Sequence, residues 1–182
     1  MKEIIIYTDG SAKNNPGPGG YGVVLLYNGN LPACLSERSR PEGFGTGTAR
    51  QDSKAKRKEL SAGYRKTTNN RMELLAVIEG LRALKETCKV KIYCDSKYVI
   101  EPIQKGWLTS WKAKNWKRGK KEDVKNTDLW VQLDQLLQKH EVEFCWVKGH
   151  NGNRENERCD FLAVSASDKG NLLIDENYEC KL

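Results

Sequence analysis

The chain has 182 residues, of which 38% are hydrophobic and 30% charged. This length and composition fit one folded domain with a sizeable core and exclude a chain that is disordered throughout. The 31 lysines and arginines exceed the 24 aspartates and glutamates, so the formal net charge is +7. Such a surplus favours a polyanionic partner.

Membrane segments, targeting signals and thiol–metal sites are not predicted. The longest apolar runs are far shorter than the roughly 18 residues that a membrane helix needs. The first ten residues lack the layout of a signal peptide, so we expect a cytoplasmic protein with no membrane partner. The six cysteines form no C-x-x-C pair, which predicts free thiols.

The first two predicted elements are strands, at 4–9 and 21–27, because both segments are short apolar runs. Between them, "NPGPGGYG" has the G-x-G-x-x-G spacing of a dinucleotide-binding turn. That function needs a helix after the glycines, whereas a strand is predicted there. We therefore predict a wide hairpin turn and no dinucleotide.

A flexible basic insertion is predicted at 32–58, which is rich in Pro, Gly and Ser. A third strand follows at 59–67. A helix is predicted over 71–86, with Thr68 or Asn69 as its cap, because the apolar residues of this segment share one helical face.

The second half alternates strands and helices around a basic protrusion at 105–121. Residues 168–182 are interpreted as a loose C-terminal tail of the single domain 1–167. The remaining predicted elements are a strand at 90–94, a helix at 96–104 capped by Asp95 and Ser96, a helix capped by Thr127, a strand at 142–147 and a helix at 154–166.

This order predicts an α/β fold with one five-stranded mixed sheet. The first three strands form an antiparallel meander, and the last two join by parallel crossovers with helices on the faces of the sheet. Ligands of such sheets bind at the carboxyl ends of parallel strands. Asp9 and Asp95 follow neighbouring strands there, so their side chains are expected to converge.

Four acidic residues end or interrupt apolar elements: Asp9, Glu73, Asp95 and Asp160. Taken singly, each has a simpler interpretation as a cap, a helix-dipole partner or a surface residue. As a cluster they would repel one another unless hard divalent cations bind, so Mg²⁺ or Mn²⁺ is predicted. Two such ions, roughly 4 Å apart, suit the attack of water on a phosphodiester.

The tract 105–121 carries seven lysines and arginines, three tryptophans and no acid. Lysines neutralise phosphates and indoles stack on bases, which favours contact with nucleic acid. The alternative is a solvated helix whose tryptophans belong to the core.

Five stretches of the chain resemble the type 1 ribonucleases H, in that family's order: "YTDGSAKNNPGPGGYG", "TTNNRMEL", "YCDSKYV", "VKNTDLW" and "WVKGHNGNRENERCDFLA". The resemblance implies the ribonuclease H fold and endonucleolytic cleavage of the RNA strand of an RNA–DNA hybrid. It implies that Asp9 bridges two Mg²⁺ ions, that Glu73 and Asp95 bind one of them and Asp160 the other. His150 is then a mobile-loop histidine that assists proton transfer or product release.

The resemblance also implies contacts with the hybrid. Asn15 and Asn70 would read the 2′-hydroxyl with backbone near Gly10, and Thr68 and Asn69 would hold the DNA strand. The other substrate contacts that it implies are Ser11, Lys97, Trp107, Trp111, Lys112, Lys114, Trp116 and Lys117.

Some features depart from the family pattern. Lys97, Lys66 and Ser110 stand where Gln, Arg and Asn are common, and the insertion at 32–58 has no counterpart. The insertion could add affinity for nucleic acid, bind a protein or do neither. The sequence leaves two other functions open: a weakly active module that binds hybrids or double-stranded RNA, and a nuclease that acts on DNA. A monomer is expected.

Overall fold

The computed structural model describes residues 1–27, 56–119, 122–149 and 152–180. None of the helices in this part of the chain is long and apolar enough to cross a membrane. The strands are β1 (Lys2–Ala12), β2 (Gly17–Tyr27), β3 (Lys56–Thr67), β4 (Cys88–Cys94), β5 (Lys117–Arg118), β6 (Glu122–Asp123) and β7 (Glu141–Trp146). The helices are α1 (Asn69–Arg82), α2 (Lys97–Gln104), α3 (Trp107–Ala113), α4 (Thr127–Leu137), α5 (Arg154–Ser167) and α6 (Glu176–Glu179).

The main sheet has the strand order β3-β2-β1-β4-β7, and β5 and β6 form a separate small hairpin. β1, β2 and β3 pair antiparallel, whereas β4 is parallel to both β1 and β7. The predicted mixed α/β sheet is therefore confirmed. Thr8 of β1 pairs with Cys94, the last residue of β4. The residues that follow them, Asp9 and Asp95, therefore reach the same edge of the sheet.

The main core lies between the sheet and helices α1 and α4. α1 buries nine of its residues, and α4 buries Trp130, whose side chain is fully enclosed. On the strands, alternate residues such as Ile4 and Ile6 or Val90 and Ile92 enter this core, as the two-residue period of a strand requires. This packing fixes α1, and with it Glu73, against the sheet.

β1 and β2 form the predicted hairpin, but its turn is narrower than predicted, because most of the glycine-rich stretch belongs to β2. β2 begins at Gly17, and the turn is confined to 13–16. The glycines let helix α5 lie directly on the strand: a Cβ at Gly22 would sit 2.0 Å from the Cys159 carbonyl oxygen, and one at Gly20 would sit 2.4 Å from that of Ala163. They therefore set how closely α5 approaches the sheet.

The C-terminal segment is folded against the domain, and the prediction of a loose tail is wrong for the described residues. Leu173 lies parallel to β3: its N–H donates to the Gly63 carbonyl (2.8 Å), and its carbonyl accepts from the Arg65 N–H (2.9 Å). Asp175 is buried, and α6 follows it. We call residues 168–180 the C-terminal strap.

Several predicted boundaries shift. β3 already begins at Lys56, which belongs to the predicted insertion, while residues 32–55 lie outside the described residues. α1 begins at Asn69, two residues before the predicted start, and Asn126 occupies the N-cap position of α4 that was predicted for Thr127. Tyr27 pairs with both Ile4 and Lys56, so the insertion leaves the sheet at the end opposite Asp9.

Candidate active site

Asp9 lies in β1, one residue after the last residue that pairs with β4. Its Oδ1 accepts a hydrogen bond from the Gly10 N–H at 2.7 Å. Burial, together with the neighbouring charges of Asp95, Asp160 and Glu73, raises the pKa of Asp9 to about 8 against the opposing effect of that hydrogen bond. Asp9 is therefore close enough to interact with each of the other three acids.

Asp95 directly follows β4 and is held by residues from two other segments. The Asn156 Nδ2 of α5 donates to its Oδ2 at 3.3 Å, and the Trp146 Nε1 donates to its backbone carbonyl at 3.2 Å. The loop after β7 also passes close, because a Cβ on Gly149 would lie 2.6 Å from the same Oδ2. The carboxylate is thus contacted from α5 and lies close to the loop after β7.

Both oxygens of the Glu73 carboxylate are oriented by neighbours. The Asn69 Nδ2 donates to Oε1 at 3.0 Å from one turn earlier in α1, and the Ser96 Oγ donates to Oε2 at 2.5 Å. Burial raises the pKa of Glu73, the Ser96 hydrogen bond opposes this rise, and the Asp95 charge adds to it. Ser96 also accepts from the Val99 N–H and thereby caps α2.

The four acids fit a site for hard divalent cations. They offer only carboxylate oxygens, the donors that Mg²⁺, Mn²⁺ and Ca²⁺ prefer. Within the described residues, none of the four forms an ion pair with Lys or Arg, so the negative charge is uncompensated. No three Asp, Glu, His or Cys side chains in that part of the chain already enclose a common point. Cation binding would therefore draw the carboxylates closer together.

The turn between β1 and β2 packs against the start of α1 beside these acids. A Cβ on Gly10 would lie 2.3 Å from the Glu73 backbone nitrogen, so strand and helix touch there. Asn15 supplies a cap to the helix from this turn, because its Oδ1 accepts from the Asn69 N–H at 3.1 Å. Thr68 holds the N-cap position, but its side chain makes no capping hydrogen bond with the described residues. Ser11 and Asn70 lie on the same rim.

The tryptophans of the basic tract divide into two kinds. Trp107 is 42% exposed, whereas Trp111 and Trp116 pack partly against the core, with the Trp111 ring 5.5 Å from that of Trp130. The core interpretation therefore holds for Trp111 and Trp116, and contact of Trp107 with nucleic acid stays a prediction. An open cleft of about 430 Å³ runs beside the tract; Lys97, Tyr98, Trp107, Trp111 and Arg118 are among its lining residues.

The lysines of the tract differ in their partners. Lys112 pairs with Asp134 of α4 at 2.7 Å, and Lys117 pairs with Asp123 of β6 at 2.6 Å. No ion pair of Lys114 occurs among the described residues. The acids lie outside the tract, so the sequence did not reveal that part of its charge is neutralised.

Sequence reasoning missed a buried ionic cluster on the far side of α1. Arg71 is 3% exposed and forms bidentate pairs with Asp128 of α4 (3.0 and 2.8 Å) and Asp175 of the C-terminal strap (2.6 and 2.8 Å). The Thr67 hydroxyl donates to Asp175 at 2.8 Å. The one available signal was an arginine inside the apolar pattern of a helix.

The hydrogen bonds that Ser96, Asn156 and Trp146 make to the acids were also not predicted. The sequence signal for Ser96 was its position next to Asp95, directly after a predicted strand. His150, the predicted mobile-loop residue, lies outside the described residues. Of the other predicted site residues, Asp160 lies in α5 and Lys97 is the first residue of α2.

Known proteins are similar to this chain in sequence. A family model described as RNase H matches residues 1–168. Ribonuclease H of Desulforamulus reducens is 51% identical over 175 residues, which cover 96% of this chain and 94% of that protein. Ribonuclease HI of Synechocystis sp. is 45% identical over 175 residues, with 96% and 94% covered.

Solved structures are also similar. LC9-RNase H1, described as a type 1 RNase H with the type 2 active-site motif, superposes with a TM-score of 0.70 at 31% identity, covering 100% of this chain and 81% of that one. LC11-RNase H1, solved in complex with an RNA/DNA hybrid, gives a TM-score of 0.57 at 23% identity, with 91% and 96% covered. The second likeness concerns the fold alone.

Proposed function

Because the chain belongs to the ribonuclease H family, we propose that it hydrolyses the RNA strand of RNA–DNA hybrids with two divalent cations. Membership of the family makes it an enzyme that cleaves RNA in such hybrids and generally uses divalent metal ions. The number and identity of the ions, the ends produced and the residue roles are our proposal. It is carried by one observation: Asp9 interacts with the carboxylates of Asp95, Asp160 and Glu73, and none of the four has an ion-pair partner among the described residues.

The residues are proposed to divide the ligand roles between two Mg²⁺ ions, with Mn²⁺ as a substitute. Asp9 would contact both, Glu73 and Asp95 one, and Asp160 the other. Cations bound there would supply Lewis acids that activate water and stabilise the leaving oxygen. The interaction of Asp9 with each of the other three acids, which contributes to its raised pKa, supports this assignment.

The proposed reaction is a direct displacement at phosphorus. A water oxygen forms the new P–O bond while the bond from phosphorus to the 3′ oxygen breaks, so the products carry a 5′-phosphate and a 3′-hydroxyl. The leaving oxygen takes up a proton, for which His150 is the proposed source. No covalent enzyme intermediate forms.

The strand to be cut is proposed to lie against the turn between β1 and β2. Asn15 directs its Oδ1 toward α1, which leaves the Nδ2 donors for a 2′-hydroxyl or a base edge. Trp107 and the unpaired Lys114 would meet the DNA strand beyond the cleft. We propose that the protein acts as a cytoplasmic monomer; sedimentation velocity would reveal any larger species.

A cleavage assay on one labelled sequence tests the proposal. The substrates are the RNA–DNA hybrid, the DNA duplex, the RNA duplex and the single strands, each with Mg²⁺, with Mn²⁺ and with a chelator. We expect metal-dependent cutting of the RNA strand of the hybrid, with 5′-phosphate ends. Binding without cutting would support a hybrid-binding module instead, and preferential cutting of duplex DNA would support a DNA nuclease.

A further inference from the structure

Asn69, the first residue of α1, joins two parts of the site that serve different tasks. Its Oδ1 accepts from the Ala12 N–H at 3.1 Å, and its own N–H donates to the Asn15 Oδ1 at 3.1 Å. Its Nδ2 donates to the Glu73 Oε1 at 3.0 Å. One residue therefore contacts both the turn proposed to read RNA and a carboxylate proposed to bind a cation.

The chemistry of a carboxamide makes this contact directional. The group has one acceptor oxygen and one donor nitrogen at the ends of a planar unit, and in Asn69 each end has its own partner. A rotation of the side chain that breaks the bond to Ala12 therefore also breaks the bond to Glu73. The placement of the turn and the orientation of the carboxylate are thus mechanically linked.

The second oxygen of Glu73 provides an internal reference. It is held by Ser96, which lies after β4 and has no hydrogen bond to the turn among the described residues. Loss of Ser96 would release Glu73 but leave the turn in place. Asn70, the next residue of α1, is proposed to read the substrate but lies outside this chain of hydrogen bonds.

We propose that Asn69 is a positioning residue that couples recognition of the RNA strand to binding of the cation. A 2′-hydroxyl seated against Asn15 steadies the turn, and Asn69 transmits this to the orientation of Glu73. By linkage, metal bound at Glu73 favours the same position of the turn. The inference rests on the proposed function and gives Asn69 a role other than the contact with the DNA strand that the family resemblance implies.

Three alanine variants separate the two tasks, each measured without turnover. Calorimetry of the substrate-free protein gives the dissociation constant for Mg²⁺. Fluorescence anisotropy in a chelator gives the affinities for a hybrid and for a DNA duplex of the same sequence, and their ratio is the RNA selectivity. The variants are Asn69→Ala, with Asn70→Ala and Ser96→Ala as matched controls.

Asn69→Ala should change both quantities. We expect Mg²⁺ binding to weaken about tenfold, the scale for loss of a residue that orients a metal ligand. We expect RNA selectivity to fall about fivefold, as for one lost hydrogen bond. Asn70→Ala should lower only the selectivity, and Ser96→Ala should weaken only Mg²⁺ binding. If the alanine variant does not fold, Asn69→Ser replaces it. The serine side chain is too short to reach both partners, so we expect the same result.

The proposal is overturned if the Asn69 variants change one quantity and leave the other within twofold of the parent protein, or change neither. This failure differs from failure of the proposed function. In the latter case the parent protein itself would show no binding of Mg²⁺ or no preference for the hybrid over the DNA duplex.

Discussion

Arg71 and Glu73 stand two residues apart near the start of α1, and the fold treats their charges in opposite ways. Arg71 faces two carboxylates that satisfy its guanidinium in bidentate pairs. Glu73 lies near two like charges, those of Asp95 and Asp9, and no lysine or arginine of the described residues pairs with it. Removing one partner of a fully paired buried charge destabilises the fold, whereas a charge held among like charges indicates a ligand-binding site.

The largest effect should come from the group of acids that includes Glu73 and has no ion-pair partner among the described residues. Asp95→Asn keeps the shape of the side chain but removes the charge proposed to hold a cation. We expect the rate of hybrid cleavage to fall by roughly a thousandfold, the scale for loss of one electrostatic group at a reaction centre. A single-turnover assay measures the rate, and anisotropy in a chelator should show that the hybrid still binds. Glu86→Gln, at the exposed pair with Lys2, is the control; a full rate for Asp95→Asn would refute its role.

The paired group should instead govern stability. Asp175→Ala leaves Arg71 buried with one of its two carboxylate partners missing. We expect the free energy of unfolding to fall by about 3 kcal/mol, because breaking a buried ion pair strands a charge. Urea denaturation measures the loss. In the matched variant Asp168→Ala, which breaks the exposed pair with Lys13, a change below about 0.5 kcal/mol is expected. Equal effects of the two variants would contradict the comparison.

The same distinction should hold within the basic tract. Lys114→Ala removes a charge that is free to meet a phosphate, so the slope of log affinity for the hybrid against log salt should decrease by about 1. Lys112→Ala should change the slope less, because Asp134 already neutralises this lysine. Anisotropy titrations across a salt series measure both slopes. An equal decrease for the two variants would show that the pair with Asp134 opens on binding.

The smallest effect concerns a surface cluster. Hydrogen bonds from Arg158, and then from Arg57, lower the pKa of Glu59 to about 2 from 4.5. A lowered pKa means that the carboxylate stabilises the fold above pH 4.5 and that this contribution disappears as the pH falls toward 2. Glu59→Gln should therefore cost about 1 kcal/mol at pH 7 and nothing at pH 2. Thermal unfolding across pH measures this; a constant difference between pH 7 and pH 2 would exclude the ionic cause.

The sheet and the four acids were predictable because both leave local traces. Short apolar runs mark strands, and an acid directly after such a run marks the carboxyl end where sites form. Asp9 and Asp95 were placed in this way, and the pairing of Thr8 with Cys94 puts both at the same edge of the sheet. The family resemblance added the roles of Glu73 and Asp160, which remain predictions.

What the sequence hid depends on contacts between distant residues. A glycine pattern does not tell whether the chain turns or a helix lies against it, so Gly17, Gly19 and Gly20 were assigned to a turn although they lie in β2. The C-terminal strap has no periodicity, and its anchor becomes visible only when Asp175 meets Arg71. Likewise, Asn69 looked like a helix cap or a contact for DNA until Ala12 and Glu73 were seen on its two ends.

The C-terminal strap also has a consequence for the order of folding. Arg71 and Asp175 are 104 residues apart, and so distant a contact closes only after local structure has formed. Until the strap docks, the start of α1 lacks the ion pair between Arg71 and Asp175. We expect a refolding chain to complete its sheet first and to gain catalytic competence only when the strap docks.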